Sequence, residues 1–387
     1  MKSLLCITAA FIFINATAQV ATYQMVRTKG AIAYLEYGLG DDRLGGAKMG
    51  YLESNVVLKV VDSIHSDYKV QLSKNHFAYL PKSSVIAAVD IVPKPYYLSS
   101  SIKVYGDDKH DYVVINLDEK LPYKSQQVIQ PAGLWIDIYG ATSNTNWITQ
   151  LSTVKEITQT WTEQIEDDVL RVHIRLKNNE HWGHAIYYDS ISRKMYVRVK
   201  REPVKDIRKW KIAIDAGHGG TNVGAAGVTS KRYEKEYALL IAKEFQSALR
   251  LAGVKNVVMV RDKDTTLSME ERTVMLRKED PDLLISIHLN SSSIDTIKGT
   301  STFYRHIGFR NVSKHILQQM LTLGLKEYGN VGNFNFALSG PTEFQNCLVE
   351  VAFLSNNEDE KKIMNAAFRK SVANKILEGI RSYAKTL

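Results

Sequence analysis

Cysteine is almost missing from this chain. Two occur in 387 residues, Cys6 and Cys347. Cys6 lies in a segment that reads as a secretory signal: Lys2 supplies the positive start, Leu4 to Ile14 the apolar stretch, and Ala16-Thr17-Ala18 an A-x-A cleavage site. Cleavage there makes Gln19 the mature N-terminus and leaves Cys347 by itself, which excludes an internal disulfide. Stability then comes from a packed core or a metal. The apolar stretch is too short to remain as a bilayer anchor. A lipoprotein reading of Leu4-Leu5-Cys6 fails because the apolar run follows the cysteine instead of preceding it. Internal repeats and low-complexity tracts are also missing, which excludes repeat architectures and bulk disorder.

What is present suits a globular chain with room for two or three domains, 44% hydrophobic and 24% charged, enough for a sizeable core. A formal net charge of +9 suits an anionic partner such as cell-wall polymer, anionic lipid or nucleic acid, without choosing among them. The first half reads as β structure. Strand-like runs at 56–61, 68–72 and 77–80 follow a glycine-rich loop at 38–50, and a second series follows at 112–117, 134–139, 169–176 and 195–199. His181-Trp182-Gly183-His184 offers two imidazoles three residues apart. They fall between predicted strands, beside a glycine and with no carboxylate at matching spacing, so a structural or surface role is expected rather than a metal site. Residues 200–210 are dense in charge, carry Pro203 and read as a linker. Beyond them apolar runs at 211–215, 257–261, 283–290 and 347–354 alternate with helical segments. That pattern predicts an α/β domain with a mostly parallel central sheet flanked by helices.

The chemistry gathers in this last region. The run from Ile212 breaks into Gly217-His218-Gly219-Gly220, a turn no packing argument requires, directly after a strand, where open α/β folds place ligands. Glu234 opens a helix whose apolar face is Tyr237, Leu240, Ile241, Phe245, Ala248 and Leu249; the helix dipole by itself would favour a carboxylate there. His288 closes the run at 284–287, as a hydrogen-bonded core histidine also could. Glu350 lies inside an apolar strand, where an ionised carboxylate is costly unless paired, protonated or near a cation. Each has an ordinary explanation by itself. Together they supply two imidazoles and two carboxylates, the usual set for a catalytic zinc site with one position left open.

The region 211–387 resembles the zinc-dependent N-acetylmuramoyl-L-alanine amidases of the bacterial cell wall. The likeness rests on Asp215 through Gly220, Gly224-Ala225-Ala226-Gly227, Glu234-Lys235, Arg261-Asp262 followed by Leu267 and Arg272, Ser286 through Asn290, Gly299, and Leu348 through Asn356. The resemblance implies that His218, Glu234 and His288 hold one zinc ion and that Glu350 is the catalytic base. It further implies that zinc acidifies water, Glu350 takes its proton and passes it to the leaving amine, and the bond cut joins N-acetylmuramic acid to L-alanine. The segment after Arg272 departs from the family by lacking its Ala-Asn. Between His288 and Glu350 a strand, one helix and a loop are expected, without an inserted regulatory helix.

Residues 19–94 resemble a bacterial Src-homology-3-like β-barrel and 95–199 an AMIN-like β-sandwich. The expected layout is signal 1–18, these two β domains, linker 200–210 and catalytic domain 211–387. Peptidoglycan is the implied partner, with a cell-wall or divisome regulator as a compatible second one. No nucleic acid, no stable membrane anchor after signal cleavage, a monomer, and export to the periplasm or envelope complete the expectation. The rival readings are a zinc peptidase acting on stem peptides and a non-catalytic wall-binding protein.

Overall fold

The computed structural model describes residues 24–40 and 45–387; the signal segment expected at 1–18 lies outside them. Seven strands form the first sheet, in the order Lys48–Leu52, Ala33–Glu36, Phe77–Pro81, Asp67–Gln71, Val57–Ile64, Gln24–Thr28 and Val85–Ala87. Their pairings are antiparallel, and Lys48–Leu52 lies at an edge.

Two further sheets follow. One is four-stranded, ordered Tyr123–Ile129, Ala132–Tyr139, Val169–Leu176, Ile157–Glu166. The other is built on Tyr97–Gly106, His110–Leu117, Met195–Lys200 and His184–Tyr188, with the short strands Ala141–Thr142 and Ile148–Gln150 joining Tyr97–Gly106 in parallel. Alternation decides their faces: Leu134, Ile136 and Ile138 are buried, while Trp135 and Asp137 between them are not fully covered. One apolar cluster runs through all three sheets, from Val26, Leu35 and Leu58 to Ile136, Val172 and Val197.

The C-terminal half is a six-stranded sheet between helices, ordered Asn256–Met259, Lys211–Ala216, Leu283–Asn290, Gln345–Phe353, Thr300–Phe303, Glu327–Val331. The helices are α1 (Glu234–Leu251), α2 (Met269–Glu279), α3 (Arg310–Leu321), α4 (Asn357–Met364) and α5 (Ala366–Ala384). Ile212, Ile214, Ile285 and Ile287 pack on the side that carries Tyr237, Ile241 and Phe245 of α1, Ile316 of α3 and Ile376 of α5. Ala213 and Leu284 face the other way, toward Leu276 of α2, with Val260 and Phe344. Strands covered on both faces need apolar residues at every position, which is why they read as unbroken runs.

The sheet is mixed, a correction to the expectation of a mostly parallel one. Asn256–Met259, Lys211–Ala216, Leu283–Asn290 and Gln345–Phe353 pair in parallel, as do Thr300–Phe303 and Glu327–Val331, but Thr300–Phe303 runs antiparallel to Gln345–Phe353. The chain reaches Thr300 from Asn290 through a loop with no helix in it, and a parallel pairing needs a crossover. The strand Glu327–Val331 replaces part of the loop expected before Glu350.

The segments 181–184 and 200–210 join the halves. Trp182 meets Trp210 with ring centroids 5.0 Å apart and Tyr383 of α5 at 5.9 Å. Gln345 Nε2 donates to the His181 carbonyl at 2.7 Å, and His184 N–H to the Thr342 carbonyl at 2.7 Å. The two imidazoles face Val128 O and Ser125 Oγ, at 2.7 and 2.9 Å. The 200–210 segment is anchored: Lys200 Nζ pairs with Asp280 at 2.9 Å, Arg201 with Asp111 at 2.6 Å, and Trp210 is buried.

Candidate metal centre

His218 follows the Lys211–Ala216 strand in a left-handed backbone conformation, φ 60°. Such a φ costs a non-glycine residue about 1–3 kcal/mol unless its surroundings hold it. Two buried guanidiniums do so. Arg261 donates to the carbonyls of Ala216 and Gly217, each at 2.8 Å, and Arg272 to those of Ala216 and His218. Arg272 is fixed in turn by Asp215 at 2.5 Å, whose other oxygen accepts from Ser286 Oγ at 2.6 Å. Lys235 and Asp264 clasp the far end, Lys235 Nζ on Gly220 O at 2.8 Å and Gly220 N–H on Asp264 Oδ1 at 2.7 Å.

Glu234 is the first residue of α1 and only 4% exposed. Its carboxylate is aimed by two backbone donors, Ala225 N–H on Oε2 and Leu289 N–H on Oε1, both at 3.0 Å. The same oxygens meet the imidazoles: Oε2 lies 3.0 Å from His218 Nε2 and Oε1 lies 3.0 Å from His288 Nδ1. Burial opposes ionisation of Glu234, yet the hydrogen bonds from both imidazoles hold its carboxyl well below the usual range. For His288 burial favours the neutral ring, but hydrogen bonding to Glu234 and the charges of Glu234 and Glu350 outweigh it and raise the pKa.

The glycines around these groups are there for space. A Cβ on Gly217 would run into the His288 ring, and one on Gly224 would run into both Glu234 Oε2 and His218 Cδ2. Gly227 leaves room for Glu360, which accepts from Thr229 N–H at 2.7 Å and Ser230 N–H at 2.9 Å and so pins the loop leading to α1.

Three expected site residues therefore meet. One donor atom each from His218, Glu234 and His288 lies within 4.8 Å of the others, a group that could hold a metal ion. The donor set suits zinc. His288 Nε2 is buried and meets no hydrogen-bond partner among the described residues, which a purely structural histidine would normally avoid. His218 Nδ1 lies 2.8 Å from Asn222 Oδ1. An amide oxygen only accepts, so Nδ1 carries a proton, and Nε2, which faces Glu234, is the ring atom that a metal would take. Glu350 is the neighbour of His288 across the sheet, their Cα atoms in register on parallel strands, and is half-buried.

Sequence reasoning missed Asn222 and Phe336. Asn222 stands four residues past His218 in the same turn, a short polar side chain where the turn alone would explain it. Phe336 lies edge-on to His288, centroids 5.4 Å apart, and nothing near it in the sequence signals that contact.

Known proteins resemble the C-terminal half of the chain. The family model for N-acetylmuramoyl-L-alanine amidase matches residues 212–382. The N-acetylmuramoyl-L-alanine amidase AmiC of Escherichia coli O6:H1 is 27% identical over 218 residues, covering 44% of this chain and 52% of that protein. LytC of Bacillus subtilis, of the same activity by name, is 32% identical over 177 residues, covering 44% of this chain and 35% of that protein. This chain thus spans about half the length of the first relative and about a third of the second. Among solved structures, the catalytic domain of CwlV from Bacillus (Paenibacillus) polymyxa is 30% identical, with a TM-score of 0.44 over 46% of this chain and 99% of that one. The match over residues 212–382 and the amidase relatives support a cell-wall amidase catalytic domain in the C-terminal half of the chain.

Proposed function

We propose that the chain is an exported, zinc-dependent enzyme that hydrolyses the amide between the lactyl carbonyl of N-acetylmuramic acid and L-alanine in peptidoglycan. The observation that carries this reading is the meeting of His218, Glu234 and His288 donor atoms within 4.8 Å, although His288 and Glu234 alone stand 54 residues apart. His218, Glu234 and His288 are the zinc ligands. Zinc held there supplies Lewis acidity, polarising a carbonyl and acidifying water near neutral pH. Glu350 is the general base: its carboxylate takes a proton from the attacking water and returns it to the nitrogen of the leaving amine. Asn222 keeps the His218 proton on Nδ1, and the N–H groups of Ala225 and Leu289 keep the Glu234 carboxylate turned toward both rings.

The remaining units serve delivery. We divide the chain into a signal (1–18), a first β domain (19–94), a second (95–199), a linker (200–210) and the catalytic domain (211–387), acting as a monomer in the periplasm or envelope. No helix among the described residues is long and apolar enough to cross a membrane. Peptidoglycan is the partner of the β half as well. In the four-stranded sheet Trp135, His173 and Trp161 stand opposite one another in one row. Trp161 stacks on His173 at 4.6 Å and Arg171 lies 4.6 Å over Trp135, and such flat rings suit the faces of sugar rings. A cell-wall or divisome regulator is a compatible further partner.

Digestion of purified sacculi with and without a chelator, followed by mass spectrometry, tests the reading. An amidase leaves an intact glycan and a free L-alanine amino group, and the chelator stops it; cleavage within the stem peptide would instead identify a zinc peptidase. In the same assay Glu350→Gln retains zinc and loses activity by roughly 100-fold or more, whereas His218→Ala loses both. A Glu350→Gln chain digesting at the parent rate removes the proposed base.

A further inference from the structure

The loop at 332–340 connects the metal centre to a distant part of the chain. On one side Phe336 meets His288 edge-on, with an interplanar angle of 82°, and Phe334 packs on Phe303 at 4.6 Å. On the other side the loop is gripped by the edge strand Lys48–Leu52 of the N-terminal sheet and the residues just before it. Asn335 Oδ1 accepts from Lys48 N–H at 3.2 Å and from Arg305 Nη1 at 3.0 Å, while Asn335 Nδ2 donates to Gly46 O at 2.9 Å. Arg305 also donates to the Lys48 carbonyl. Tyr51 Oη donates to Ala337 O at 3.2 Å, and its ring fills the space that a Cβ on Gly340 would need.

These contacts have a consequence for His288. Its Nδ1 edge is set by Glu234, and Gly217 and the His218 ring, 5.1 Å away between centroids, close on it as well, which leaves the contact from Phe336 to complete its surroundings. An aromatic neighbour at right angles restricts tilting of the ring, and outer partners that fix a ligand ring typically govern metal affinity. Phe336 can do this only while its loop is held. Outside the short turn Ala337–Ser339 the loop belongs to no helix or strand; its own domain holds it through Phe334 N–H on Tyr304 O at 3.2 Å, His306 Nε2 on Gly340 O at 2.9 Å and the buried Leu338, and the N-terminal sheet adds Asn335 and Tyr51 on the other side.

We propose that the N-terminal sheet is a working part of the metal centre: through Asn335 and Tyr51 it holds the 332–340 loop so that Phe336 fixes the His288 ring. Asn335, Tyr51 and Phe336 are then positioning residues. The inference rests on reading His218, Glu234 and His288 as zinc ligands.

The test uses the full chain with Asn335→Ala, with Phe336→Leu, and with Asn311→Ala as a control. Asn311 also bonds across the two halves, to Glu180 at 2.6 Å, but from α3, away from the loop. Zinc affinity is measured by competition with a chelator, and turnover on a soluble muropeptide. Asn335→Ala and Phe336→Leu each weaken zinc binding about ten-fold and lower kcat with KM nearly unchanged, and Asn311→Ala changes neither. Parent-like zinc affinity in either Asn335→Ala or Phe336→Leu overturns the proposal, as does an equal loss in Asn311→Ala, which would indicate general loosening. A parent chain that holds no zinc overturns the ligand reading itself, and this inference with it.

Discussion

Glu234 occupies a position that the helix dipole would explain, yet its surroundings ask for more. The carboxylate is almost fully buried and receives Ala225 N–H, Leu289 N–H and both imidazoles. A residue placed there only to cap a helix would face solvent. His218 shows the same excess of constraint: a strained φ, carbonyls tied by Arg261 and Arg272, and a tautomer set by Asn222. Replacing Asn222 with alanine frees the ring to rotate and to change tautomer. Zinc affinity is expected to fall roughly 10–100-fold with little change in thermal stability, because Asn222 lies in an exposed turn. Chelator competition beside a melting curve checks this; unchanged affinity removes Asn222 from the site. At this scale the sequence showed the four chemical groups but not their orientation. Lone-pair direction depends on partners as remote as Leu289 is from Glu234.

Among the elements, the Lys211–Ala216 strand and α2 are tied by one buried ion pair. Arg272 of α2 and Asp215 are each about 1% exposed and meet at 2.5 Å. Arg272→Ala leaves the buried Asp215 without its guanidinium partner, a loss expected to cost about 3–5 kcal/mol. Urea unfolding measures it, and a cost below about 1 kcal/mol would show that water reaches Asp215. Double replacement, Arg272→Met with Asp215→Asn, should recover much of that stability without recovering the His218 turn, since the His218 carbonyl loses its Arg272 donor and the Ala216 carbonyl keeps only Arg261. Strand and helix existence was legible here because both faces of the sheet are covered and α1 carries its apolar stripe. The strand Glu327–Val331 was not. Its sequence, Glu-Tyr-Gly-Asn-Val, has neither alternation nor an apolar run, and it forms by pairing at the edge of Thr300–Phe303.

Across the molecule, the β half and the amidase domain meet through buried polar groups, which makes the union sensitive to acid. His184 sits at that junction, 2% exposed. Burial first, and then the neighbouring His306 and His181, push its pKa down to about 3 from 6.5. The sign follows from proton binding: between those values the unfolded chain binds the proton and the folded one does not. The contribution of His184 is therefore complete above pH 6.5 and is lost as pH falls toward 3. Between pH 6.5 and 5 this costs about 2 kcal/mol. Thermal midpoints recorded across that window should fall with acid, and His184→Gln should flatten the slope whatever its own cost. An equally steep slope in that variant assigns the acid sensitivity to other groups.

Legible along the chain were the donor set, the glycine turn that carries His218, the β-then-α/β order, and the burial of the central strands. These depend on local rules: residue type, periodicity and turn chemistry. Packing alone settled which oxygen of Glu234 meets which imidazole, that His181-Trp182-Gly183-His184 joins the two halves, and that the Lys48–Leu52 strand reaches a loop beside His288. Lys48 and Asn335 are 287 residues apart, and a contact over that distance leaves no period or spacing in the chain. It exists only once the sheets have packed.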